Sequence, residues 1–179
     1  MAAISKYYVD IKTFVLAGSL LDATVRALRR EGEFKVESIV FWTGSARGTV
    51  ATVSGLLVPQ GNGVSKHPLQ VRVDERTMAA LCTKVDPPER VLLGQVHTHM
   101  GKAFHSWADD NFSLGTPGFI SIVIPDFARG GVDTWQDWAF FVCRGEGKFD
   151  PLDRETVARS FRIDPSVGLE THDIRPSSS

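Results

Sequence analysis

Cysteine is scarce in this chain: Cys82 and Cys143 are the two thiols in 179 residues. They lie far apart and lack the close spacing of a cysteine metal site, so neither a disulfide scaffold nor a zinc knuckle is indicated. Two buried thiols in a reducing compartment are expected. Charge of one sign is lacking too. Lys and Arg number 20 against 21 Asp and Glu, for a net charge of −1 and a pI near 6.5. That balance gives no basic footprint for a nucleic acid. Long apolar runs are missing, and none reaches the roughly 20 residues of a membrane-spanning helix. Phe14 to Leu21 is locally apolar, but Asp10, Lys12 and Asp22 surround it. No basic segment precedes it, so a signal peptide is not expected. Internal repeats and a linker to a second domain are also absent from the pattern. A single domain over residues 1–163 is expected, in the cytoplasm, with no membrane and no nucleic-acid partner.

What is present alternates between strand and helix signals. Tyr7, Val9, Ile11, Phe14 and Val15 read as an extended entry segment over about residues 6–16. Leu20, Leu21, Val25 and Leu28 recur at helical spacing, with Ser19 as N-cap and Gly32 as terminator. Val36 to Trp42 reads as a strand that opens with Glu37 and closes at Gly44. Thr49 to Val58 reads as its antiparallel neighbour. Residues 59–68 form a polar loop in which His67 is expected to be exposed. Asp74 caps a helix to about Lys84 with Met78, Leu81 and Cys82 inward, and Asp86-Pro87-Pro88 breaks it. Phe119 to Ile124 and Trp138 to Cys143 read as further strands. Phe149, Leu152, Val157 and Phe161 suggest a closing helix with Asp153 near its start. Residues 164–179, with Pro165, Pro176 and a run of Ser, are expected to be a flexible tail. Such an order implies an α/β fold with a mixed sheet, not a doubly wound parallel one.

The most informative stretch is Val91 to Phe112, VLLGQVHTHMGKAFHSWADDNF. An apolar run, Val91 to Val96, reads as a buried strand and ends in His97-Thr98-His99. Side chains at i and i+2 of a strand share a face, so two imidazoles converge at one strand end. A short Gly-containing loop then leads to Ser106-Trp107-Ala108-Asp109. Ser-x-x-Asp is also a helix capping box, which would fix the angle at which Asp109 leaves the first turn. Two His and one Asp, with a position left for water, make a catalytic zinc site of the three-ligand type.

This constellation resembles the JAMM motif of the MPN/JAB-domain metalloproteases: an upstream Glu, then His-x-His, a short spacer and Ser-x-x-Asp. The spacer here, Met100 to His105, is a residue shorter than usual, and Met100 stands where the family commonly has Pro. Asp109 keeps the Ser-x-x-Asp spacing and is the favoured third ligand. Asp110 keeps the more usual distance from His99. The resemblance implies a curved mixed sheet flanked by helices, of the cytidine-deaminase-like kind. It implies that zinc is held by His97, His99 and Asp109, with Glu37 as proton shuttle and Ser106 as donor to the oxyanion. Glu37 and Gly44 fit the family's Glu-to-Gly spacing, although the Gly usual midway is Val40 here. Glu33 is the rival, read as a solvated charge.

The resemblance also implies hydrolysis of a peptide or isopeptide bond. The chain is similar to short bacterial JAMM proteins linked to ubiquitin-like conjugation systems, antiviral ones included. The expected partner is a ubiquitin-like protein whose C-terminal Gly tail lies in a groove beside a sheet edge. Phe104, Trp107 and Trp135 are candidates to line that groove or to pack in the core. A protease that processes a sulfur carrier, and a non-catalytic MPN scaffold, are the alternative readings.

Overall fold

The computed structural model describes residues 11–85, 89–106, 109 and 116–175. In chain order the elements are β1 (Thr13–Ala17), α1 (Leu20–Gly32), β2 (Ile39–Arg47), β3 (Val50–Pro59), β4 (Val64–His67), β5 (Gln70–Val73) and α2 (Glu75–Cys82). They continue with β6 (Val91–Thr98), β7 (Ile120–Ile124), β8 (Ala139–Gly145), β9 (Lys148–Leu152), α3 (Arg154–Ser160), β10 (Phe161–Asp164) and β11 (Glu170–Ile174). Between β7 and β8 lie two short turns of 3-10 type, Asp126–Ala128 and Val132–Asp137.

Among the described residues, nine strands form one sheet in the order β10-β1-β3-β2-β6-β7-β8-β9, with β11 also on β3. Parallel pairs (β1 with β3 and β10, β3 with β11, β6 with β7) mix with antiparallel ones (β2 with β3 and β6, β8 with β7 and β9). The sheet is thus mixed, as the order of signals implies. Strands β6 and β7 lie inside it and are buried along their whole length. That is why they read as unbroken apolar runs rather than alternating ones.

Helix α1 packs its buried stripe, Leu20, Leu21, Val25 and Leu28, on one face of the sheet. Leu16, Trp42, Val53, Val96 and Ile122 meet it in the main core. Each such large apolar side chain taken from water contributes roughly 1.5–3 kcal/mol. A smaller cluster, with Phe41, Leu57, Leu81, Leu92 and Phe119, holds other members of the same strands.

The change of face along β6 depends on a bulge. Trp42 pairs with Gly94 but Thr43 pairs with Leu92, so Leu93 is an extra residue on β6. Without it, alternation would put Gln95 and His97 on the side of Leu93, in the main core. With it, Leu93 and Val96 share the α1 face, and Gln95 and His97 line a cavity on the other. Gly94 sits at the irregularity, and a Cβ there would lie 2.8 Å from the Ile120 carbonyl oxygen.

Several boundaries differ from the sequence reading. β2 begins at Ile39, after Glu37, and runs through Gly44 to Arg47. α1 does end at Gly32, as expected, and the glycine also serves close approach: a Cβ would fall 2.5 Å from the Phe127 carbonyl oxygen. Ser19 precedes α1 without a side-chain cap bond, whereas Asp74 and Asp153 accept from Thr77 N and Thr156 N as caps should. The loop at 59–68 contains β4, which pairs with β5. Cys82 is exposed and Cys143 is buried, so the expectation of two buried thiols holds for one. The expected flexible tail from 164 is also corrected. Thr13–Leu16 of β1 occupy β3 at Val50–Val53, and β11 takes the rest of that edge at Gly55–Pro59. Ile174 is buried there. The edge left open by a short β1 gives this segment its backbone partners, and residues through 174 belong to the domain. The Asp86-Pro87-Pro88 break, residues 6–10 of the entry segment, and residues 107, 108 and 110–115 around the capping box lie outside the described residues. Among those described, no helix is long and apolar enough to cross a membrane.

Candidate metal centre

His97 is the penultimate residue of β6, on the face set by the bulge, and His99 follows the strand's end with its ring centroid 5.0 Å from that of His97. Backbone bonds hold each in place. Thr98 N donates to Ser38 O at 3.0 Å and Ser38 N to Thr98 Oγ1 at 3.0 Å. His99 N donates to Ile124 O, and His99 O accepts from Phe127 N. Ser106 and Asp109 form the capping box reciprocally: Ser106 N donates to Asp109 Oδ2 at 2.6 Å, and Asp109 N to Ser106 Oγ at 3.3 Å. The box therefore does aim the carboxylate. Asp109 Oδ1 lies 3.1 Å from His97 Nε2, and Oδ2 lies 3.3 Å from His99 Nε2.

This geometry fits a metal ion. One ligand atom from each of His97, His99 and Asp109 lies within 4.8 Å of the others. Ligands about 2.0–2.1 Å from a tetrahedral zinc stand roughly 3.3 Å apart, close to the two nitrogen–oxygen separations. His97 Nε2, buried, faces the Asp109 carboxylate and no other group among the described residues, a pairing that a shared cation would satisfy.

The two carboxylates nearby are held in opposite states. Burial acts to raise the pKa of Asp109, but contact with both imidazoles and the Ser106 N–H outweighs it and holds the carboxyl well below the usual range. Glu37 is buried, and desolvation raises it to about 7, with His99 pulling down and Asp109 pushing up. Glu37 shares one cavity, of about 200 Å³, with His97, Ser106 and Asp109. The rival Glu33 is exposed and lines a different depression, beside Arg26 and Asp133. Glu37 is fixed through its backbone, since its N–H donates to His67 O of β4. His67 is itself exposed, as expected.

Apolar residues fill the far part of that cavity: Ile39 and Phe41 of β2, Met78 of α2, and Val71 and Val73 of β5. All four residues of β5 line it, so the strand meets the cavity edge-on, because side chains of consecutive residues alternate. Of the three aromatics proposed for a groove, Trp135 is in the main core against Phe140 and Phe161. Phe104 is half exposed and stands edge-on to His99, with ring centroids 4.8 Å apart. Trp107 and Asp110 are outside the described residues.

Two polar residues join the site without any spacing signal. His105 packs between Phe141 and Phe149 and shares a 3.2 Å hydrogen bond with Ser121 Oγ. Gln95, on the cavity wall, donates to the same oxygen. A polar residue inside an otherwise apolar strand, as Gln95 and its partner Ser121 both are, is the signal that points to this group, whereas His105 lies outside any strand.

No family model matches the chain. A probable metalloprotease of Sinorhizobium fredii, y4jG, is 26% identical over 126 residues, covering 69% of this chain and 78% of that protein. The solution structure of protein DSY2949 from Desulfitobacterium hafniense superposes with a TM-score of 0.60 at 14% identity, over 87% of this chain and 95% of that one. At that identity the likeness concerns the fold: a mixed α/β domain with a curled sheet.

Proposed function

We propose that the chain is a zinc-dependent peptidase that cuts the amide bond after the C-terminal Gly of a ubiquitin-like protein, in precursor processing or deconjugation. The observation that carries the peptidase reading is the convergence of His97, His99 and Asp109 beside a buried Glu37 whose pKa lies near neutrality. The probable metalloprotease from Sinorhizobium supports the same class. His97, His99 and Asp109 would hold the ion. Zinc bound there supplies Lewis acidity, polarising a carbonyl and bringing the pKa of water toward about 7. Glu37, not a ligand, takes a proton from the attacking water and passes it to the leaving amine. A carboxylate with a pKa near 7 exchanges protons in both directions at neutral pH. Ser106 Oγ accepts from Asp109 N and keeps its own proton to donate to the developing oxyanion. Such donors are worth about 2.7–4 kcal/mol where they have been removed elsewhere.

The substrate reading rests on the cavity and on the motif. β5 has β4 on one edge and the cavity on the other, so an extended chain can lie along it through main-chain bonds. The apolar wall accepts aliphatic side chains upstream, and glycine passes where a Cβ would clash with the buried site. The test is a fusion of a ubiquitin-like protein ending in Gly-Gly to a reporter, incubated with and without chelator. Release that stops with chelator, returns with zinc and fails when the last Gly is made bulky is expected. Cleavage that ignores the glycine change would remove the substrate reading, and cleavage that persists without metal would remove the mechanism.

A further inference from the structure

The turn that follows β7 has an unusual backbone. Asp126, Phe127 and Ala128 take φ of 52, 53 and 58 degrees in succession, and none is glycine. Left-handed conformations of that kind persist only where the surroundings over-determine them, and they cluster at functional sites. Here the turn presents its N–H groups to the metal loop. Phe127 N donates to His99 O and Asp126 N to Gly101 O, both at 3.0 Å. His99 N is bonded to Ile124 O on the strand just before the turn. The backbone of one metal-site histidine is therefore held on both sides by this one segment.

What holds the segment is the last turn of α1. Arg29 Nε donates to Ala128 O at 3.1 Å, and Nη2 donates to Gly130 O at 2.7 Å and Arg129 O at 3.3 Å. A guanidinium has the planar fork that three neighbouring carbonyls need. Gly32, one helical turn on, leaves the room in which Phe127 sits. The same end of the helix also reaches the other histidine by a second route. Ser38 Oγ donates to Leu28 O, and Ser38 is paired with Thr98 between the two imidazoles.

We propose that Arg29 is a positioning residue for the metal centre, acting through the left-handed turn at 126–128 on the backbone of His99. The inference rests on the reading of His97, His99 and Asp109 as metal ligands. Arg29 touches neither substrate nor ligand side chain. Its loss lets the turn relax toward ordinary φ values, and His99 O then loses the Phe127 N–H that helps aim the ring. Removing groups that orient a metal ligand costs about 10–100-fold in affinity elsewhere.

Cobalt(II) is titrated into the metal-free full chain, and its visible absorption reports both affinity and coordination. Wild type is expected to give intense tetrahedral-type bands at one ion per chain. Arg29→Ala is expected to bind about 10-fold or more weakly with a changed band shape, and Arg29→Lys to recover only part of the loss. Arg30→Ala, an exposed neighbour on the same helix, should match wild type. Arg29→Ala with wild-type affinity and spectrum would overturn the proposal. If Arg29→Ala does not fold, Arg29→Gln carries the test, with weakened binding supporting the proposal and wild-type binding overturning it. Absence of cobalt binding by wild type would instead remove the metal-site reading, and this inference with it.

Discussion

On the face of the sheet toward α1, strands β2, β6 and β7 present Val40, Trp42, Leu93, Val96 and Ile122. On the other face the same strands present Phe41, Gln95, His97 and Ser121, with Glu37 just before β2. The first face is closed by a helix and carries the burial energy. The second is closed only in part, by α2 and the β4–β5 hairpin, and the room left over is the cavity. One bulge on β6 decides which side chains go where. Polar groups that would be ruinous in the main core thus sit a single residue's thickness away from it.

The difference is broken most strongly from the α1 side. Leu28→Ala, at a fully buried position, is expected to cost about 2–5 kcal/mol in a urea melt of the metal-free protein. A loss below about 1 kcal/mol would mean that α1 is not the principal support of the sheet.

The cavity side should behave in the opposite sense, because Glu37 is held there against its own stability. Its folded pKa is raised from 4.5 to about 7. The stability it contributes is therefore full below about pH 4.5 and is lost as pH rises through about 7. Glu37→Gln should stabilise the metal-free protein at pH 8 by roughly 1–3 kcal/mol and remove that part of the pH slope, while hydrolysis is lost. Denaturant melts at pH 5 and pH 8 read this directly. Identical slopes for wild type and Glu37→Gln would show that Glu37 is not buried as described.

The smallest effects sharpen the contrast at the two cysteines. Cys82→Ser, on the exposed side of α2, should change stability by less than about 0.5 kcal/mol. A thiol reagent should modify Cys82 in the native protein and Cys143 only on unfolding, since burial also raises the Cys143 thiol. Equal native labelling of both would contradict the packing of Phe119 with Cys143.

Much of the site was legible in the sequence because it is built from local patterns. The i, i+2 histidines at the end of an apolar run, and the Ser-x-x-Asp capping box, each need only a few adjacent residues. Glu37 was placed by its distance from Gly44 rather than by the strand start, which the structure puts at Ile39. What escaped were features whose cause lies elsewhere in the chain. The bulge at Leu93 depends on the register with β2. The left-handed turn at 126–128 has no glycine to announce it and stands because Arg29 holds it. β11 reads as tail because its sequence, ETHDI, buries mainly Ile174. Its strand character comes from the vacant half of the β3 edge.

In the proposed mechanism His97, His99 and Asp109 hold the metal while Glu37 only moves protons. Zinc per chain, measured by elemental analysis on wild type, Asp109→Ala, Asp110→Ala and Glu37→Gln, tests it most directly. One zinc is expected in wild type, Asp110→Ala and Glu37→Gln, and none in Asp109→Ala. Full zinc in Asp109→Ala together with loss in Asp110→Ala would contradict it.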